Sequence, residues 1–247
     1  MVPTTAGMCY WLGQALYVAV TNRARGLSLV ASRGPAFQMP AASGFAPLAS
    51  EPSVDEVVAA VVAAYAEDER KKALGQDVGR TQRADGGATD PGVVFAGLGD
   101  PLLRWRDVAA AAASIREHHL VPVRLNTNGL LAPSEPPADQ VAAALKAAGV
   151  THATVALNAA DPKAYAALML SPPAYAPAYH EDAASAVGDV EGASFGDACA
   201  FVVALAEAQI ATTVSCVASP GADVAAVRHL ALALGAVDVK ERTYLAG

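Results

Sequence analysis

Short apolar runs alternate with longer amphipathic stretches along the chain. Residues 16–20, 93–96, 121–125, 153–157, 210–215 and 237–240 are runs of four to six residues, mostly apolar. Bounded by polar, Gly or Pro residues, such runs predict strands. Helical spacing fills the gaps between them. Ser53 with Glu56 three residues on is a capping-box signature, and Val57, Val58, Val61, Val62 and Tyr65 follow at helical intervals. A second helix is predicted over 105–118, and a third over 137–148 closed by Gly149. Asp161-Pro162 opens a fourth running to about 170, with proline at the first helical position. Two more are predicted over 195–208 and 222–234.

Strand followed by helix, six times, implies parallel strands joined by helical crossovers. The fold class is therefore α/β, either a doubly wound open sheet or a six-stranded parallel partial (β/α)6 barrel. The strand ends favour the barrel. They carry Thr21-Asn22-Arg23, Gly99-Asp100, Asn126-Thr127-Asn128, Asn158, Ser215 and Arg242. A barrel gathers all six ends round one mouth, whereas an open sheet needs them only near its switch point. Residues 1–15 read as a lead-in, with Tyr10-Trp11-Leu12-Gly13 and Cys9 packing at the barrel bottom. Residues 67–91, charged and then Gly-rich, and 171–193 read as surface loops or insertions of a single domain over 1–247.

Composition narrows the function classes. Hydrophobic residues make up 53% and charged residues 17%, enough for a sizeable core. The net charge of -7 predicts no nucleic-acid ligand. No apolar run reaches the ~18 residues of a membrane helix, and the N-terminus lacks a secretory pattern, so a cytoplasmic protein is expected. The three cysteines, Cys9, Cys199 and Cys216, are odd in number and widely spaced, which predicts no disulfide framework and no Cys-x-x-Cys site. Cys216 is the one expected near the mouth. No histidine pair has metal-ligand spacing.

Thr21-Asn22-Arg23 after the first strand, Gly97-Leu98-Gly99-Asp100-Pro101 after the second, Asn126-Thr127-Asn128-Gly129 after the third and Leu157-Asn158-Ala159 at the fourth occur in that order. Together they resemble the radical S-adenosylmethionine core, and within it the branch associated with TatD-type hydrolases. The resemblance implies a six-stranded partial TIM-like barrel. It also implies a Cys-x3-Cys-x2-Cys loop after the first strand that holds a [4Fe-4S] iron–sulfur cluster. In this chain those three positions fall on Ala24, Ser28 and Ala31, so the cluster is expected to be absent.

What the resemblance leaves is an S-adenosylmethionine site. Gly97, Gly99 and Asp100 stand where the family receives the methionine ammonium, and Asn126, Asn128 and Asn158 are candidates for ribose or carboxylate contacts. Each has a plainer alternative. Asp100 is also a good helix cap, and the asparagines also satisfy turns. Arg23 and Arg242 are candidate anion contacts at the mouth or simply partners of acidic neighbours such as Asp100, and Arg33 is either a further anion contact or a solvated side chain.

Four functional readings follow. The first is a degenerate, non-radical member that still binds S-adenosylmethionine. The second is an active [4Fe-4S] radical enzyme of unknown substrate. The third is a different barrel enzyme acting on a small phosphate or sugar. The fourth is a non-catalytic partner of a TatD-like hydrolase, by family analogy.

Overall fold

The structure, a computed structural model, describes residues 7–76 and 91–247. The chain opens with a hairpin, β1 Cys9–Leu12 and β2 Ala15–Val18. Its two-residue turn places Gly13 at φ 59°, in the left-handed region that favours glycine. Five strands follow: β3 Gly92–Phe95, β4 Val123–Thr127, β5 Val150–Ala156, β6 Ala211–Val217 and β7 Asp238–Arg242. The helices are α1 Val54–Ala73, α2 Trp105–His118, α3 Ala138–Ala147, α4 Pro162–Met169, α5 Phe195–Glu207 and α6 Val224–Ala233.

All seven strands form one sheet in consecutive order, parallel throughout except for the β1–β2 pair. The chain never reverses its direction of travel across the sheet. Crossovers of one hand then put every helix on one face and leave the other face free to curl inward. The packing agrees. Leu16, Val18, Val93, Phe95, Val123, Leu125 and Val155 join the helix side chains in one core. The intervening Tyr17, Val94 and Ala96 belong to a smaller cluster with Tyr10 and Leu12, against Met39 and Phe45 of the loop after β2. The result is an α/β partial barrel with its interior face covered by its own first loop.

Three expectations need correction. Tyr10-Trp11-Leu12 belongs to β1, whose Leu12 end, beside Ala15, does lie at the bottom of the barrel. Because β1 runs antiparallel, Cys9 lies beside Val18 at the C-terminal end of β2, not at the barrel bottom. Residues 67–73 are not loop but the last turns of α1. Glu67 pairs with Arg70 and Lys71, and Asp68 with Lys72, at helical spacings, and the basic residues sit in the last turn where they suit the helix dipole. The remainder of that expected loop includes 77–90, which lie outside the described residues. Cys216 does lie at the C-terminal end of β6, but its side chain is buried in the core under the helices rather than facing the mouth.

Segment 171–193 contains no helix or strand. It nevertheless packs inward, with Ala186 and Val187 buried.

Candidate functional site at the barrel mouth

The turn after β2 is pinned on both sides. Thr21 donates its hydroxyl to Glu51 at 2.5 Å, and the Arg23 guanidinium pairs with Glu51 at 2.8 Å. Glu51 is consequently held below the usual carboxylate range, chiefly by the Arg23 hydrogen bond. Asn22 brackets the Leu48 backbone, donating to its carbonyl at 2.7 Å and accepting its N–H at 2.9 Å. Arg23 is therefore tied to the start of α1 and does not line the mouth.

The same turn rests on the end of β3. Gly99 donates its N–H to the Thr21 carbonyl at 3.2 Å, and Asp100 donates its N–H to the Arg23 carbonyl at 2.8 Å. A Cβ on Gly99 would fall onto the Arg23 carbonyl and 2.6 Å from the Arg23 nitrogen. Close backbone approach explains Gly99, and the approaching backbone is the protein's own.

The Asp100 carboxylate is buried and fully engaged inside the protein. It accepts the N–H of Leu102 at 2.9 Å, capping a short 3-10 turn, and the N–H of Asn128 at 2.7 Å. The Thr127 hydroxyl donates to both of its oxygens. Burial raises its pKa, opposed by these donors. Asn128 donates to the Arg25 carbonyl and accepts the Leu130 N–H at 3.2 Å. Asn158, at φ 57°, accepts the Val217 N–H at 2.8 Å and donates to the Met169 sulfur at 3.0 Å. These three residues bracket strand ends to one another.

The loop carrying positions 24, 28 and 31 is also held by protein. Ala24, Ser28 and Ala31 are all buried. Arg25 bridges to Gly188, and Ser28 donates its N–H to the Ala186 carbonyl at 3.0 Å. The Ser28 hydroxyl lies 3.1 Å from His180 Nε2 and accepts the Ala31 N–H at 3.1 Å. Tyr175 donates its hydroxyl to the Ala31 carbonyl at 2.6 Å. Segment 171–193 thus sits on the loop as its packing partner. No thiol is among these residues. Cys9 and Cys199 lie on β1 and α5, and burial raises the three cysteine pKa values to about 12, 11 and 11 for Cys9, Cys199 and Cys216. Among the described residues no group of three or more His, Cys, Asp or Glu is placed to hold a metal ion. This donor set does not fit a [4Fe-4S] cluster, which needs thiolates.

A half-enclosed cavity of about 140 Å³ lies on the interior face of the sheet. Its strand wall includes Tyr17, Ala96, Asn126, Thr154, Ser215 and Arg242, and the first loop adds Ser32, Arg33 and Phe37. Of the six expected cofactor contacts, Gly97 and Asn126 line this cavity; Gly99, Asp100, Asn128 and Asn158 do not. Arg242 and Arg33 do, from β7 and from the loop. Tyr10, Tyr17 and Thr154 were not expected. Their signal was the period-2 alternation of each strand, readable once the concave face is known.

No family model matches the sequence, and no curated protein matches it. Solved structures do share its fold. Streptococcus suis SuiB bound to precursor peptide SuiA aligns with a TM-score of 0.53 at 10% identity, over 95% of this chain and 40% of that one. The FeFe-hydrogenase maturase HydG from Carboxydothermus hydrogenoformans aligns with a TM-score of 0.54 at 14% identity, over 94% of this chain and 44% of that one. The chain spans less than half the length of these proteins. At such identities the likeness is one of fold alone.

Proposed function

We propose that this chain is a radical-S-adenosylmethionine-core-like protein that works without an iron–sulfur cluster and keeps its barrel mouth as a small-molecule site. The observation that carries this reading is the donor set of the first loop. Ala24, Ser28 and Ala31 offer one hydroxyl and no thiolate, and His180 and the Ala31 N–H already engage that hydroxyl. No radical step is assigned to these residues. What the chain supplies is a site that binds and orients a ligand, with the first loop shielding it on one side.

S-adenosylmethionine is the ligand that the resemblance implies, with Gly97 and Asn126 as its wall contacts. Two measurements test the reading. Anaerobic reconstitution with iron and sulfide should leave the protein without bound iron and without thiolate-to-iron absorption; a stoichiometric cluster would instead support the active-enzyme reading. Calorimetric titration with S-adenosylmethionine should give a saturable heat, and its absence at millimolar ligand would remove that cofactor from the proposal.

A further inference from the structure

The first loop walls the cavity on one side, yet its own regular structure is two short 3-10 turns, Ala31–Arg33 and Ala41–Ser43. Its seat comes from partners elsewhere, and segment 171–193 supplies one at each of positions 24, 28 and 31. The Ala24 carbonyl lies against Gly188, whose φ is 64° and whose added Cβ would fall onto that oxygen. Neighbouring Arg25 bridges to the same glycine, and its buried guanidinium donates to the Glu191 carbonyl. Ser28 is held twice, its N–H by the Ala186 carbonyl and its hydroxyl by the His180 ring. The Ala31 carbonyl accepts the Tyr175 hydroxyl. Farther along, Met39 donates its N–H to the Tyr179 hydroxyl at 3.0 Å, and the Tyr179 ring meets Phe45 edge-on with centres 4.9 Å apart.

The cavity-lining Leu29, Val30, Ser32, Phe37 and Met39 all lie between these anchor points or at one of them. No described residue of segment 171–193 lines the cavity itself. Segment and loop therefore meet back to back. Opening either one alone would strand backbone groups of both, and segments joined in this way open as cooperative units.

We propose that the first loop and segment 171–193 open and close as one unit, so that a segment outside the cavity both sets the cavity's wall and responds to its occupancy. A ligand that binds the closed wall adds its binding free energy to the closed state of the whole unit, and so protects the remote segment as well. The response to occupancy rests on the reading of the mouth as a ligand site; the coupling of the two segments does not.

Amide hydrogen exchange of the full chain, corrected for intrinsic rate, tests the coupling. In the wild type, Val187 in the segment and Ser32 in the loop should share one protection factor within about threefold, below that of the β4 amides. Equal protection of all three would mean global opening and overturns the proposal. Gly188→Ala should speed exchange at Ala31, Ser32 and Met39 by the same factor as at Val187, about tenfold or more. Tyr175→Phe removes a single hydroxyl and is the milder variant should the first fail to fold. It should speed Ser32 and Val187 alike, by about fivefold. Faster exchange at Val187 with Ser32 and Met39 unchanged overturns the coupling.

S-adenosylmethionine is the probe for occupancy. Where calorimetry shows it bound, saturation should slow Val187 and Gly188 by the same factor as Ser32 and Met39. Protection of the loop alone overturns the coupling and leaves the ligand reading intact. Absence of heat removes S-adenosylmethionine from the ligand reading, and the two variants then decide the coupling by themselves.

Discussion

The Thr127 hydroxyl donates to both oxygens of the Asp100 carboxylate, at 2.7 and 2.9 Å, joining the end of β4 to the turn after β3. With the N–H groups of Leu102 and Asn128 bound to the same carboxylate, Asp100→Ala strands three buried donors at once. Each costs about 1–3 kcal/mol. The variant should lose at least about 3 kcal/mol of unfolding free energy in urea. Unchanged stability with weakened ligand binding would make the carboxylate a ligand group instead.

Gly99→Ala forces a methyl group into the Arg23 backbone. Overpacking of this kind costs about 1–3 kcal/mol. Gly196→Ala is the internal control. In α5 its added Cβ meets nothing nearer than the Ser194 hydroxyl at 3.5 Å. Helix propensity then predicts a gain of about 0.5 kcal/mol. Thermal unfolding of the two variants should shift in opposite directions.

Acid titration should expose Glu51. Its folded pKa is lowered from 4.5, so its contribution is present above that value and is lost as pH falls through the lower folded one. Urea midpoints of the wild type should drop across that acid window. Glu51→Gln should be less stable at neutral pH and show a flatter profile there, because Thr21, Arg23 and Arg104 lose their common anion.

His180 gives a second window. Burial lowers its pKa from 6.5, so the folded state prefers the neutral ring. Its contribution is full above 6.5 and falls as pH drops below that value. Amide exchange at 184–188, corrected for intrinsic rate, should quicken between neutral pH and the low side of that window. His180→Ala should exchange faster at neutral pH and lose the pH dependence, since the ring on Ser28 is one of the contacts that hold that segment to the loop.

The alternation of strands and helices was legible because each unit carries its own periodicity and caps. Ser53 and Glu56 do form the capping box, and Asp161 with Pro162 does open α4. β1 was not legible: four residues gain strand identity only beside β2. The last turns of α1 looked like a solvated charge run, yet the same charges pair at helical intervals. At the site, residue chemistry was legible and direction was not. Asn126 and Thr127 are adjacent in β4, so one faces the cavity and the other binds Asp100. Which parity faces inward is fixed by the curl of the whole sheet, a long-range property.

The tail beyond β7 pairs with the first loop. Leu245 donates its N–H to the Arg33 carbonyl at 2.8 Å and accepts the Ala36 N–H at 3.1 Å. These partners stand more than two hundred positions apart in the chain. Closing so wide a loop carries an entropic cost that local helices and neighbouring strands do not meet. The tail's contact with the first loop is therefore expected to form after the strands have paired. A ligand in the cavity should slow release of the tail, linking occupancy to the kinetic lifetime of the fold.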